Sequence, residues 1–233
     1  MEVTLKRTAG RATFLAAYTF SRSLDWSSNL QEQVNPYNYR REYGLSTFDI
    51  RHDFVISYNY DLPFETLFHK KTRVTQGWSV SGISRFASGV PVTFASLGDN
   101  ALVNVQNNGV NAISIDLPNV APGDLAINRN PRNNQPAFST KLFSPNPLGT
   151  FGTASRRMFS GPGMENWDLA LHKTTHITES KLLELRFETF NTFNHAQFYG
   201  AGSVDRNIND GNFGRIAKAA NPRFVQIAAK LSF

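Results

Sequence analysis

The sequence predicts an all-β chain: an antiparallel transmembrane β-barrel portion, about seven strands of a larger barrel, with long extracellular loops. Three observations carry this expectation. Segments with strict period-2 alternation recur along the 233 residues, and such alternation gives an extended strand one apolar and one polar face. The connections between them alternate short and long, as they do where antiparallel strands return through tight turns on one side of a membrane and long loops on the other. The chain ends on an alternating segment, in which Val225, Ile227, Ala229, Leu231 and Phe233 oppose Gln226, Ala228, Lys230 and Ser232. Termini fray unless they are tied down, so this ending implies a final strand paired on both edges, as in a closed barrel.

Taken in order, the expected strands run approximately from Val3 to Lys6, Arg11 to Arg22, Phe48 to Tyr60, Gly77 to Phe86, Asn166 to Thr174, Leu182 to Phe193 and Arg223 to Phe233. Thr8-Ala9-Gly10 and Thr175 to Lys181 are tight connections, Asp61 to Gln76 is intermediate, and Leu24 to Thr47, Ala95 to Glu165 and His195 to Pro222 are long. A soluble sandwich has no reason to sort its loops by parity. Within the sixth strand Leu183, Leu185 and Phe187 alternate with Glu184, Arg186 and Glu188, and an arginine at the lipid midplane would cost about 2 to 4 kcal/mol. The charged set is therefore expected to face inward and the Leu and Phe set outward. By the same alternation Phe14, Ala16, Tyr18 and Phe20 oppose Thr13, Thr19 and Ser21; Phe54, Ile56, Tyr58 and Tyr60 oppose Asp53, Ser57 and Asn59; and Trp167, Leu169 and Leu171 oppose Asp168 and His172. Candidate lumen-facing residues are Asp53, Arg85, Asp168, Glu184, Arg186 and Glu188, and Ile227, Leu231 and Phe233 mark the barrel-closing C-terminal strand. Aromatic rings at strand ends suit the two headgroup levels, with Tyr58, Tyr60, Trp78 and Phe233 expected at one rim and Tyr18, Phe20 and Trp167 at the other.

The segment from Ala95 to Glu165 is rich in Asn, Gly and Pro, including Gln106-Asn107-Asn108-Gly109 and Asn130-Pro131-Arg132-Asn133-Asn134. Such composition favours turns, and long loops of this kind are usually functional or disordered. A short strand from Val110 to Leu117 is a candidate inside it.

Composition excludes several classes. No run approaches the ~18 consecutive apolar residues of a membrane helix. The mean hydropathy of −0.34 is compatible with membrane strands, which hide their apolar character in alternation. Cysteine is absent, which rules out a disulfide scaffold. The net charge of +6 arises from scattered residues, with small basic clusters at Arg40-Arg41, Lys70-Lys71 and Arg156-Arg157 read as solvated loops. There is no basic helix or stripe, so nucleic acid is not an expected partner. MEVTLKRTAG lacks the layout of a secretory signal, and since an exported barrel needs one, the true beginning is expected upstream.

The C-terminal alternation with a terminal Phe233 resembles the closing strand of outer-membrane β-barrels. Further segments resemble the C-terminal barrel of TonB-dependent receptors of the Oar-like group: Tyr18-Thr19-Phe20-Ser21-Arg22-Ser23, Phe48 to Phe54 (FDIRHDF), Gly77 to Gly82 (GWSVSG), Ser88-Gly89-Val90-Pro91, Gly161-Pro162-Gly163 leading to Asn166-Trp167-Asp168-Leu169, Arg186 to His195 (RFETFNTFNH), Phe213-Gly214-Arg215-Ile216, Asn221-Pro222-Arg223 and Lys230-Leu231-Ser232-Phe233. They span nearly the whole chain in order. The resemblance implies residues 1–233 as the C-terminal part of such a barrel in the cell outer membrane, with the plug and earlier strands absent. It further implies outer-membrane lipid, a barrel-assembly machinery reached through the C-terminal strand, an unknown solute, and a TonB complex contacted only through the missing N-terminal part as partners.

Other constellations give no catalytic or cofactor site. His172 and His176 on one strand face lie about 13 Å apart, too far to share an ion. His52, beside Arg51 and Asp53, reads as a wall residue near a loop. Glu184, Arg186 and Glu188 either line a solute path or form ion pairs with wall neighbours such as Arg85, and the second role is preferred. Gly161-Pro162-Gly163 and Gly211 to Gly214 lack the strand-to-helix context of a phosphate site. A receptor barrel is the leading expectation, with a passive porin-like or structural barrel and a soluble β-sandwich binding module as rivals.

Overall fold

The computed structural model describes residues 1–233 except 29–31, 33, 34, 36, 97, 103–115, 129, 131 and 201. Seven strands form one antiparallel sheet: β1 (Glu2–Ala9), β2 (Ala12–Phe20), β3 (His52–Asp61), β4 (Trp78–Ala87), β5 (Met164–His176), β6 (Leu182–Phe190) and β7 (Phe224–Ser232). Each strand bonds its neighbours in sequence, so the sheet is an up-and-down meander. Among the described residues β1 and β7 each pair on one side only, so the second partner expected for the terminal strand is not found among them. Unpaired edges cannot stand in hydrocarbon, so the two outer edges of this seven-stranded sheet need partners in a bilayer.

Most strand limits fall within a few residues of those expected. The clearest difference is at β3, which starts at His52 rather than Phe48. Asp49 closes a turn by donating its N–H to the Ser46 carbonyl (3.1 Å), and its Oδ1 accepts the Ser23 N–H at 2.6 Å, which draws residues 46–50 into the loop. The candidate strand from Val110 to Leu117 lies outside the described residues up to 115, and Asp116 makes a single antiparallel bridge to Ser96.

The pairing register assigns every strand residue to a face, because directly opposed residues point the same way. Leu5, Ala16, Ile56, Ser84, Trp167, Leu169, Leu171, Phe187 and Ile227 share one face, continuous from β1 to β7. Its charged members, Arg7, Glu165 and Lys173, occur only towards strand ends. The opposite face carries charge at mid-strand on β6, at Glu184, Arg186 and Glu188, and on β5 at Asp168, whereas its middle on β2, β3 and β4 is uncharged, with Leu15, Val55 and Ile83 among polar residues. Depth-dependent cost therefore assigns the first face to lipid. Gly82 on that face has no side chain, and the Tyr58 ring lies where a Cβ would project. The Tyr58 hydroxyl reaches to 3.4 Å from the fully buried Ser84 Oγ, giving that polar atom a partner within the sheet. Tyr58 is thereby set back from the rim at which the sequence reading placed it.

All three long connections, 21–51, 88–163 and 191–223, emerge from the same end of the sheet, and 10–11, 62–77 and 177–181 turn at the other. The buried apolar core sits in the long connections rather than against the wall. Val92, Phe94, Ala137, Phe138, Phe159 and Val204 form it, with Leu125, Phe143, Phe213 and Ile216 packed around. Phe138 contacts the rings of Phe94, Phe143, Phe159 and Phe213 at centroid distances of 4.7 to 5.7 Å. Ring pairs in such tilted and edge-on arrangements add about 0.5 to 1.5 kcal/mol each beyond their area burial. The loops are thus a folded cap. Gly89 permits one crossing in it, since a Cβ there would run into the Gly161 carbonyl oxygen.

Candidate functional site

The six expected lumen residues occupy one face of the sheet, opposite the lipid face. Arg85 on β4 forms a bidentate pair with Asp53 on β3, Nε to Oδ1 at 3.0 Å and Nη2 to Oδ2 at 2.9 Å. Arg186 lies between its strand neighbours, 3.5 Å from Glu184 and 3.8 Å from Glu188. The ion pairing of this ladder therefore runs along β6, and Arg85 takes no part in it. Asp168 is occupied differently: its Oδ1 accepts the Asn166 amide at 2.9 Å and the Asn191 N–H at 2.8 Å, fixing the point where β6 enters the third loop. His172 bonds Ser81 Oγ at 2.9 Å, and His52 bonds the Tyr18 hydroxyl at 2.8 Å at the outer rim. Ile227 and Leu231 share the lipid face of β7, whose free edge lies beside them, and Phe233 follows the strand's last residue.

The third loop bends back over this polar wall. Gln197 takes the Glu165 N–H on its side-chain oxygen at 3.0 Å and donates to the Glu165 carbonyl. Tyr199 is brought near Arg85 and Asp53; burial pushes its hydroxyl up, opposed by the Arg85 charge.

The first and second loops are locked together by a feature the sequence reading missed. Arg156 and Arg157, expected from the sequence to be solvated, have side chains only 2% and 0% exposed. Arg156 pairs with Asp25 at 2.9 Å and Glu32 at 2.5 Å, and donates to the Asp25 and Glu42 carbonyls. Arg157 pairs with Glu32 and donates to the Leu45 carbonyl. Arg41 completes the lock with donations to the Gly152 and Ala154 carbonyls, whereas Arg40, Lys70 and Lys71 are exposed. Burial pushes the Asp25 carboxyl up, but hydrogen bonds from Ser28, Ser46 and Arg156 outweigh it and hold the group below its ordinary value. Burial raises Glu42 and lowers Arg157.

Between the outer strand ends and the cap lies a cavity of about 640 Å³. Leu45, Ile127, Met158, Phe159 and Ile216 give it apolar walls, Arg51 gives it a cation and Asp49 a carboxylate. Among the described residues no carboxylate forms an ion pair with Arg51. No cluster of three or more metal-ligating side chains occurs among the described residues.

A meander with one lipid face, one charged face and loops of sorted length is the wall of a transmembrane β-barrel. The family model of an outer membrane beta barrel domain matches residues 1–226, and the chain belongs to that family. Its place is the cell outer membrane, which sets aside the soluble sandwich. Comparison with curated proteins and with solved structures gives no match.

Proposed function

We propose that the chain forms the outer mouth and adjoining wall of a receptor barrel that binds a solute at the cell surface and passes it inward with TonB-dependent energy, in the manner of the Oar-like group it resembles. The observation that carries this reading is the cap. The second and third loops share an aromatic core, a buried ion-pair lock ties the first loop to the second, and all three line a cavity at the outer strand ends. A passive pore has little use for such a lid. Apolar walls with the Arg51 guanidinium, and with the Asp49 carboxylate already accepting the Ser23 N–H, suit an amphipathic solute bearing an acidic group, and the Asp53–Arg85 pair and the Glu184–Arg186–Glu188 ladder would line its path.

The test uses the full-length protein. In planar bilayers it is expected to show no steady conductance, because a plug closes receptor barrels, and to bind the purified periplasmic domain of TonB. Steady ohmic conductance without that binding would favour the porin-like rival.

A further inference from the structure

The lipid face carries one charged side chain drawn into the wall at its short-turn end. Lys173 on β5 is 9% exposed. Its ammonium donates to the backbone carbonyls of Arg73, at 2.5 Å, and Gln76, and lies 5.5 Å from the centroid of the Trp78 ring. The Trp78 indole N–H in turn donates to the Val74 carbonyl at 2.6 Å, holding the 62–77 turn against the strand. An ammonium has three donors, so one remains after the two carbonyls. Among the described residues no carboxylate forms an ion pair with Lys173 or Arg73.

Beside this cation opens a shallow cleft of about 380 Å³ whose lining includes Arg73, Val74, Trp78, Lys173, Leu185 and, at the end of β5, His176. Trp78 and Lys173 are directly opposed on the lipid face, and Leu185 follows on the next strand. All of these residues come from the internal strands β4, β5 and β6 and from the turn. Further strands added at the free edges of β1 and β7 would leave the cleft open to the bilayer.

We propose that this cleft binds the headgroup of an anionic phospholipid of the periplasmic leaflet. The phosphate takes the remaining Lys173 donor and the Arg73 guanidinium, Trp78 sits at the headgroup level, and an acyl chain lies along Leu185. Charge complementarity selects this occupant. Two cations without carboxylate partners attract a net negative headgroup, whereas the amine of a zwitterionic lipid would be repelled. A free anion would gain nothing from Val74, Trp78 and Leu185.

Native mass spectrometry of the full-length barrel, with phosphatidylglycerol, phosphatidylethanolamine or inorganic phosphate added, tests the site. Phosphatidylglycerol should be retained in preference to phosphatidylethanolamine, and inorganic phosphate should not displace it. Arg73→Gln, on an exposed turn residue, should reduce that preference about fivefold, the worth of one cation at a membrane surface. Lys173→Gln, which keeps an amide donor for the two carbonyls, should reduce it by a similar factor. Equal retention of the two lipids, a preference unchanged in Arg73→Gln, or displacement by inorganic phosphate would overturn the proposal.

Discussion

Arg156 and Arg157 show how much a single buried charge can hold. Their guanidinium groups have almost no solvent, and their partners Asp25 and Glu32 belong to a different loop. Removing one member of a buried ion pair typically costs 3 to 5 kcal/mol, because the other is left uncompensated. Arg157→Met is therefore expected to loosen the first loop from the second, measured as faster hydrogen exchange and proteolysis in 21–51 with the strands still protected. The lock also depends on acidity. Asp25 has a lowered folded-state pKa, so its contribution is fully present above the unfolded carboxylate value of about 4 and is lost as pH falls through the folded one. Glu42, raised by burial, acts in the opposite sense, contributing most below its unfolded value. Acid titration followed by loop exchange should show protection failing in the wild type below about pH 4; in Asp25→Asn this step should be absent. None of this was legible locally. Arg156 and Glu32 are 124 positions apart in sequence, and nothing in an Arg-Arg dipeptide distinguishes a buried pair from a solvated one. Asp53, Arg85, Asp168, Glu184, Arg186 and Glu188 could be placed on one face because alternation is a property of each strand alone.

At the scale of elements, strands and cap rest on different physics. The strands are set by period-2 patterning and cross-strand register, which is why their limits could be read within a few residues. The exceptions, such as the late start of β3, arise where a loop contact like Asp49 to Ser23 competes with the ladder. The cap is held by Phe94, Phe138, Phe143, Phe159 and Phe213, whose spacing has no period and whose flanks are rich in turn-forming residues. Such a core is invisible to pattern reading. Phe138→Ala should destabilise the cap by about 3 to 5 kcal/mol, seen as loss of protection in 88–163 and 191–223 while the sheet remains intact. In the wall the two faces should respond oppositely. Leu171→Arg on the lipid face should cost about 2 to 4 kcal/mol in unfolding from vesicles, whereas Ala170→Arg, on the other face and opposite Glu188, should be nearly neutral. Equal losses at the two positions would show that the faces are not distinct environments.

The whole molecule is an antiparallel barrel wall with a lid at one end. Loop parity gave this arrangement from sequence, because antiparallel strands leave only two sides on which connections can gather. What fills the cavity was not legible, since Leu45, Arg51, Ile127, Met158, Phe159 and Ile216 converge only through the folded cap. Two free edges, on β1 and β7, require partner strands before the wall can enter a bilayer. The central claim is that neighbouring residues of one strand face oil and water in turn. Its most direct measurement places a fluorophore on single cysteines at 168–171 and 185–188 of the full-length barrel in vesicles containing brominated lipid. Quenching should be strong at 169, 171, 185 and 187 and weak at 168, 170, 186 and 188; uniform quenching, or the inverse pattern, would contradict the account.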